Sequence, residues 1–490
     1  MQDGSDRRSV YELLSILFFG LFLRLLFFSC MTGYDEFHYA HIARNLTLGN
    51  FSLPDVSGYY GFRYLVTVPA AVFISIFGLN AAALSLWPLA CSLGSIWTVF
   101  LLGRLLSGAR AGLIAALLYA CLPVSVIFGT MLYPDETVTF LAGLSVLFFL
   151  KGEKKGNGGG TLFFILAGLF CGLGYLARIN ALLILLFFAA YTAVNGWRTV
   201  RLAFLAGLAL VLLPEAVVNF VKTGDALFSW NAQQLRLAAD AVNFSTSLLV
   251  YPRGMLGLDL YGLSLFGFFF HLFLICLGAY LWGHRPAGSG TLLLWFACIF
   301  LYLEFGPAHL SWAGYMPAHK QLRFLSMAAM PAALFSALYL TEMKRIAAGF
   351  AVMFVIITSA YGAAKMSEYH ALQAEPYRLA YGYLRTSDPT FVFVPDPDWR
   401  ARLNFYYGSP LNAPYYPEGG STAGGIRMLA ALPGDNSPGT IWAIGSSGVA
   451  SGICGRRRAQ NEVQLGAGAM LYRCGPLERG SSRTAELKGV

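Results

Sequence analysis

Up to about residue 364 the chain alternates long apolar runs with short breaks that are polar or rich in Gly and Lys. About 20 consecutive apolar residues match the hydrocarbon thickness of a bilayer. Eleven such spans can be read in order: 9–30, 82–103, 111–130, 135–150, 161–177, 179–194, 202–220, 260–282, 290–306, 323–340 and 346–364. The stretch 62–78 is also apolar, but it is short and holds Arg63, so it reads as an interfacial helix. Residues 37–46, directly after the first span, read as a short amphipathic helix. Asp35, just ahead of it, stands three and four residues from His38 and Tyr39, so the three share one face of it.

The pattern changes past residue 365, where no span occurs. Phe391–Val394 followed by Pro395-Asp396-Pro397-Asp398 predicts a strand and a turn, and further short strands are expected near 440–445 and 468–473. The organisation expected is therefore a membrane domain over 1–364 and a small α+β domain over 365–490, with a polar, disordered end from Gly480. No internal repeat or low-complexity tract is visible.

Composition agrees with the pattern. Only 12% of the residues are charged and 57% are hydrophobic, with mean hydropathy +0.59, whereas soluble domains carry about 25% charged residues. The net charge of +9 is mostly an orientation signal. With eleven spans and a cytoplasmic N-terminus, the inner loops hold Arg7 and Arg8, Arg104 and Arg110, Lys151, Lys154 and Lys155, Arg198 and Arg201, Arg285, and Lys344 and Arg345. Each is basic, as the positive-inside rule requires. Counting 62–78 as a span would put the lysine-rich loop outside. No basic stripe with interleaved aromatics occurs, which argues against a nucleic-acid partner. The first apolar stretch is too long for a cleavable signal and lacks a small-residue cleavage site.

Six of the eight cysteines (Cys30, Cys91, Cys121, Cys171, Cys276, Cys298) lie in or at spans and read as packing residues. Cys454 and Cys474 fall in the tail, which this topology places outside the cytoplasm, where a disulfide is permitted.

Carboxylates at the edge of an apolar bundle cost desolvation energy and so call for a reason. Asp35 and Glu36 follow the first span, and Tyr133-Pro134-Asp135-Glu136 opens the fourth. The second pair has an ordinary reading too, since Pro and acids suit the first turn of a helix. Opposed to these acids on the expected outer side are Arg63, Arg178, Lys320 and Arg323, with His309 and His319. Each cation alone could be an interfacial anchor. Together, carboxylates facing cations suit a sugar phosphate: a carboxylate acting as base activates an acceptor hydroxyl, and the cations stabilise the departing phosphate. The two histidines stand ten apart in a loop, which is no recognised ligand spacing. No Walker loop, Rossmann fingerprint, HExxH or GxSxG occurs in a fitting context. A donor for chemistry on the outer face has to arrive attached to a lipid.

The order of these features resembles the GT-C superfamily of polyprenyl-phosphate-sugar glycosyltransferases, in the branch of the protein O-mannosyltransferases and the lipid A aminoarabinose transferase. The matching residues are Asp35-Glu36-x-x-Tyr39 with Ala43 and Gly49, an interfacial helix ending Phe77-Gly78, Gly103-Arg104-x-Leu106 with Arg110, Pro123, and Asp135 opening a span. Gly172-Leu173-Gly174-Tyr175-Leu176-Ala177-Arg178 and Arg323-Phe324-Leu325 with Pro331 follow. The resemblance covers about 30–340 and is stronger as an ordered set than motif by motif. It implies a GT-C fold of about eleven transmembrane helices, with Asp35 as the catalytic carboxylate (the base or the orienter of the acceptor), Asp135 as the second acidic residue and Glu36 in support. Substrate and phosphate binding would fall to Arg63, His38, Tyr39, Arg178, Lys320, Arg323, Tyr60 and His319. Two departures stand out: Gly61-Phe62 replaces the acid that precedes the base near Arg63, and His38 stands where the aminoarabinose branch has an arginine.

The expectation is thus an inverting glycosyltransferase of the cytoplasmic membrane, with the tail extracytoplasmic. It would move a sugar from an undecaprenyl- or dolichyl-phosphate donor to an acceptor hydroxyl on a protein, lipid or glycan. Branches of the family differ in metal dependence; no essential metal is expected here, though a divalent ion is conceivable. A secondary transporter or flippase would instead show midplane charges, broken helices in pairs and symmetry between halves.

Overall fold

The computed structural model describes residues 2–31, 35–49, 60–156, 159–243, 248–308 and 317–387, together with six strands between 391 and 474. Seventeen α-helices are described, in order α1 (Gln2–Leu26), α2 (Asp35–Thr47), α3 (Tyr64–Phe77), α4 (Ala81–Ser107), α5 (Ala109–Cys121), α6 (Pro123–Phe128), α7 (Pro134–Lys155), α8 (Thr161–Ala177) and α9 (Ile184–Asn195). They continue with α10 (Ala203–Thr223), α11 (Phe228–Asn243), α12 (Val250–Met255), α13 (Leu260–Phe266), α14 (Phe269–Leu281), α15 (Ser289–Phe305), α16 (Ser326–Glu342) and α17 (Arg345–Ser387). Short 3-10 turns precede α9, α10 and α16.

The chain folds into two compact units: Met1–Met31 with His38–Tyr369, and Thr32–Phe37 with His370–Val490. In the first, α16 is the most enclosed span, with 94% of its apolar window buried. It packs against α4, α5, α7, α14 and α15. The second contains one mixed sheet of order β2-β3-β1-β4-β6-β5, where β1 is Phe391–Phe393, β2 Ser421–Ala423, β3 Ile426–Leu429, β4 Ile441–Ser446, β5 Ala459–Gly466 and β6 Ala469–Cys474. Strand β1 pairs in parallel with β3 and β4, and the remaining pairs are antiparallel. Cys454 lies outside the described residues.

Every apolar run expected to be a span contains helix, but the boundaries differ where a backbone constraint intervenes. Run 111–130 breaks at Leu122, because Pro123 has no N–H to continue α5 and instead opens α6. Run 260–282 is two helices, α13 and α14, bent by 79° across Gly267, whose φ of 53° L side chains avoid. At the far end, α17 runs through residue 365 without interruption to Ser387, past the expected domain boundary. Among the described residues five helices are long and apolar enough to cross a membrane, or six if the bent pair is one span. Helix α3, with 14 residues, rises only about 21 Å, short of a bilayer core.

Two further features fix the bundle. A Cβ on Gly168 of α8 would overlap the Phe204 carbonyl oxygen of α10, and one on Gly207 of α10 would overlap that of Ile165. Small residues thus bring two apolar helices into backbone contact, a common solution where lipid removes the hydrophobic drive. The second feature is Arg24 of α1, which is fully buried. Its guanidinium donates to Ser92 Oγ (2.8 Å), the Gly20 carbonyl (2.9 Å), the Ala120 carbonyl (3.2 Å) and Ser125 Oγ (2.8 Å). Ser125 Oγ in turn donates to Glu136 Oε2 at 3.2 Å. A buried charge persists only when its donors are met in this way.

Candidate active site

Asp135 occupies the first turn of α7, behind Pro134, and is 5% exposed. Arg178 ends α8 in an extended conformation, and Arg323 lies in the 3-10 turn leading into α16. The start of α7, the end of α8 and the start of α16 lie at one end of the bundle, and there the three side chains meet. Arg178 Nη1 is 3.4 Å from Asp135 Oδ1, and Arg323 Nε is 3.8 Å from Oδ2. Each guanidinium also lies over an aromatic ring: Arg178 is 3.9 Å from the Phe324 centroid and Arg323 is 4.0 Å from that of Tyr133. Cation–π contacts of this kind hold the arginines in place without satisfying their donors. A cavity of about 10 Å³, room for one water, is lined by Asp135, Arg178, Asn180 and Ser326 among others. One carboxylate between two cations leaves a unit of positive charge, which suits an anionic substrate.

A second group is aromatic and basic. His38 stacks on Tyr60 with centroids 4.4 Å apart, and Tyr39 meets Tyr60 edge-on at 5.3 Å. The Arg63 guanidinium lies 5.4 Å from the Tyr39 ring and 5.6 Å from that of Tyr60. So α2 and the entry to α3 bring together four residues that the sequence only placed near one another. Nearby on α2, burial lowers the pKa of His41, whose Nε2 is 3.1 Å from Asn45 Nδ2.

Lys320 has a partner that sequence reasoning missed. Its ammonium contacts Glu304 Oε1 at 2.5 Å, and both side chains are buried. Glu304 also accepts the Leu249 N–H (2.6 Å) and the Tyr251 N–H (3.2 Å), tying α15 to the start of α12. Burial raises the pKa of the Tyr251 phenol; the carboxylates of Glu304 and Asp135 add to this, while Arg178 opposes it. His319 Nε2 is 3.0 Å from Gln321 Nε2, and His309 lies outside the described residues. A further missed group is Glu215 of α10, which accepts from Ser229 Oγ and from Tyr175 OH (3.5 Å).

Asp35 and Glu36 open α2 and fall in the second unit, while all the other candidates fall in the first. Glu36 is fully buried and Asp35 half-buried. Among the described residues no group of three or more His, Cys, Asp and Glu side chains converges as a metal site would require.

Residues 65–221 match the family model described as dolichyl-phosphate-mannose-protein mannosyltransferase. No curated protein matches the chain by sequence. Among solved structures, ArnT from Cupriavidus metallidurans bound to undecaprenyl phosphate is 14% identical with a TM-score of 0.67, over 97% of this chain and 100% of that one. The oligosaccharyltransferase AglB from Archaeoglobus fulgidus, in complex with an inhibitory peptide and a dolichol-phosphate, is 17% identical with a TM-score of 0.53, over 82% of this chain and 64% of that one. A second structure of the Archaeoglobus enzyme, with Zn and sulfate, is 17% identical with a TM-score of 0.52, over 86% and 62%. In its fold, and in the sequence of residues 65–221, the chain resembles the GT-C glycosyltransferases of polyprenyl-phosphate-linked donors.

Proposed function

We propose that this protein is an integral membrane glycosyltransferase that moves one sugar from a polyprenyl phosphate to an acceptor hydroxyl on the extracytoplasmic face. The observation that carries the reading is Asp135 held between Arg178 and Arg323 at the end of a bundle whose fold ArnT shares. The acceptor oxygen would attack the anomeric carbon while the bond from that carbon to the phosphate oxygen breaks, inverting the centre. The acceptor proton would pass to the Asp35 carboxylate, and the bonding pair would leave with the polyprenyl phosphate. That phosphate gains negative charge as it departs, so Arg178, Arg323 and Arg63 stabilise the transition state more than the ground state. Asp135 aligns the first two arginines and offsets part of their charge. Its carboxylate is thus already met by cations, which supports a reaction without an essential metal; a divalent ion is the alternative, and unchanged turnover in EDTA would support the metal-free form.

In this reading the chain crosses the membrane eleven times with its N-terminus cytoplasmic. The unit containing the sheet acts as an α+β domain on the extracytoplasmic side, where the acceptor (protein, lipid or glycan) docks. Support comes from the basic cluster Lys154, Arg198 and Arg201, which lies at the bundle end opposite Asp135. The test is mass spectrometry of glycolipids and glycoproteins from cells lacking this chain. Accumulation of a single polyprenyl-phosphate sugar is expected, and unchanged glycans would overturn the proposal. In cells complemented with Asp35→Asn the same lipid should accumulate, since losing a general base slows turnover by roughly 10²–10⁴-fold.

A further inference from the structure

At the end of the bundle opposite Asp135 a cleft of about 350 Å³ opens between the C-terminal ends of α4, α7 and α9 and the first turn of α15. Its volume lies within the range of about 300–1,000 Å³ seen for small-molecule sites. The charged groups that line it are Glu153, Lys154, Arg198 and Arg201, which sum to two positive charges. They are not equivalent. Arg201 is committed to Glu153 in a forked pair, Nε to Oε1 at 2.6 Å and Nη2 to Oε2 at 2.8 Å. It also donates to the Gly196 carbonyl and lies 5.6 Å from the Tyr191 ring centroid.

Arg198 is only 3.5 Å from Glu153 Oε2, and its side chain is 44% exposed. The Lys154 ammonium donates to the Leu105 carbonyl oxygen, a neutral acceptor that leaves its charge uncompensated by any acid among the described residues. Cations at helix C-termini also complement the helix dipole, and that alone would account for the residue types. It does not account for a concave space floored by a forked ion pair, with a second guanidinium half-exposed above it. Next in sequence to the lining residues Asn195, Arg198 and Arg201, the apolar residues Val194, Trp197 and Leu202 are exposed, and a tryptophan at this end of the bundle suits the level of lipid headgroups.

We propose that this cleft is a second ligand site, separate from the transfer centre, which binds a phosphate group through Lys154 and Arg198. The phosphate belongs either to the headgroup of an anionic phospholipid or to a soluble ion. Arg201 and Glu153 form the rigid floor. Lys154 and Arg198 supply the charge-assisted bonds, and the exposed apolar residues beside Asn195, Arg198 and Arg201 in sequence suit acyl chains.

The test uses the purified full-length protein in detergent. Native mass spectrometry measures retention of phosphatidylglycerol against phosphatidylethanolamine, and equilibrium dialysis measures binding of radiolabelled inorganic phosphate. Preference for phosphatidylglycerol, weakened about tenfold by Arg198→Gln and abolished when Lys154→Gln is added, assigns the site to lipid. Phosphate binding lost in the same variants, without a lipid preference, assigns it to a soluble ion. Arg285→Gln, a basic residue at the same end but outside the cleft, should change neither measurement. Should the double variant fail to fold, the single Arg198→Gln comparison decides, because that side chain is half-exposed. Binding indifferent to these substitutions, or no preference and no phosphate uptake, overturns the proposal.

Discussion

Lys320 and Glu304 show how a single residue's role depends on a partner far along the chain. Sixteen positions apart, they form an ion pair with side chains 2% and 0% exposed. Breaking such a pair from one side costs about 3–5 kcal/mol, because the buried Glu304 carboxylate would keep only the Leu249 and Tyr251 N–H groups and no counter-charge. Lys320→Met should therefore lower the thermal midpoint of the purified protein markedly, and Glu304→Gln added to it should recover part of the loss. If the single variant melted like the parent, the pair would have no structural weight. Asp135, Arg178 and Arg323 were all legible in the sequence, because each interrupts an apolar run at its edge. Glu304 was not, although it too stands near the end of run 290–306, because no periodicity says which cation will reach it. Arg24 was missed for the same reason: one charge in a long apolar run carries no local sign of its partners Ser92 and Ser125.

At the scale of elements, apolar run length located the helices, and Pro and Gly decided where they stop. The break at Pro123 and the bend at Gly267 lay in plain view but were absorbed into spans, because averaging over about 20 residues hides a single constraint. Helix packing was less legible still. The approach of α8 to α10 depends on Gly168 and Gly207, and nothing local distinguishes those two from the chain's other glycines. Replacing Gly168 with Leu forces a side chain into the backbone of α10. Overpacking costs typically 1–3 kcal/mol, and a backbone clash more. The variant should lose thermal stability and gain trypsin sensitivity in the α8–α10 region, whereas Gly278→Ala, where nothing lies within 4 Å, should do neither.

For the whole molecule, a polytopic helical membrane protein followed from composition and span pattern and a GT-C fold from the ordered motifs, and the fold similarity to ArnT agrees with the GT-C fold. Helix α17 stays regular past its apolar part, so no break in secondary structure marks the expected boundary at 364. Which bundle end faces which compartment rests on charge alone, and it can be tested. Single cysteines at Asn180 and Gly156, in a cysteine-free background, should react with a membrane-impermeant maleimide from opposite sides: Asn180 in intact cells or spheroplasts, Gly156 only after permeabilisation. Labelling of both from one side would overturn the eleven-span topology.

Arg24 also bears on how the chain is made. Helix α1 is synthesised before α4, α5 and α6, and Arg24 lies in its last turn, so its cost at insertion falls below the roughly 2.5–3.5 kcal/mol of an arginine at the centre of a span. Apart from the Gly20 carbonyl one turn away, the atoms that satisfy it belong to Ser92, Ala120 and Ser125, which emerge some 70 to 100 residues later. During that interval the first span is an incomplete part, held in the membrane by its leucines and phenylalanines against an unmet charge. Biogenesis therefore has a waiting period, in which α1 must be kept from slipping back or being degraded. An Arg24→Leu chain should insert its first span more efficiently in a translocon assay and yet yield a less stable finished protein, separating the needs of assembly from those of the assembled state.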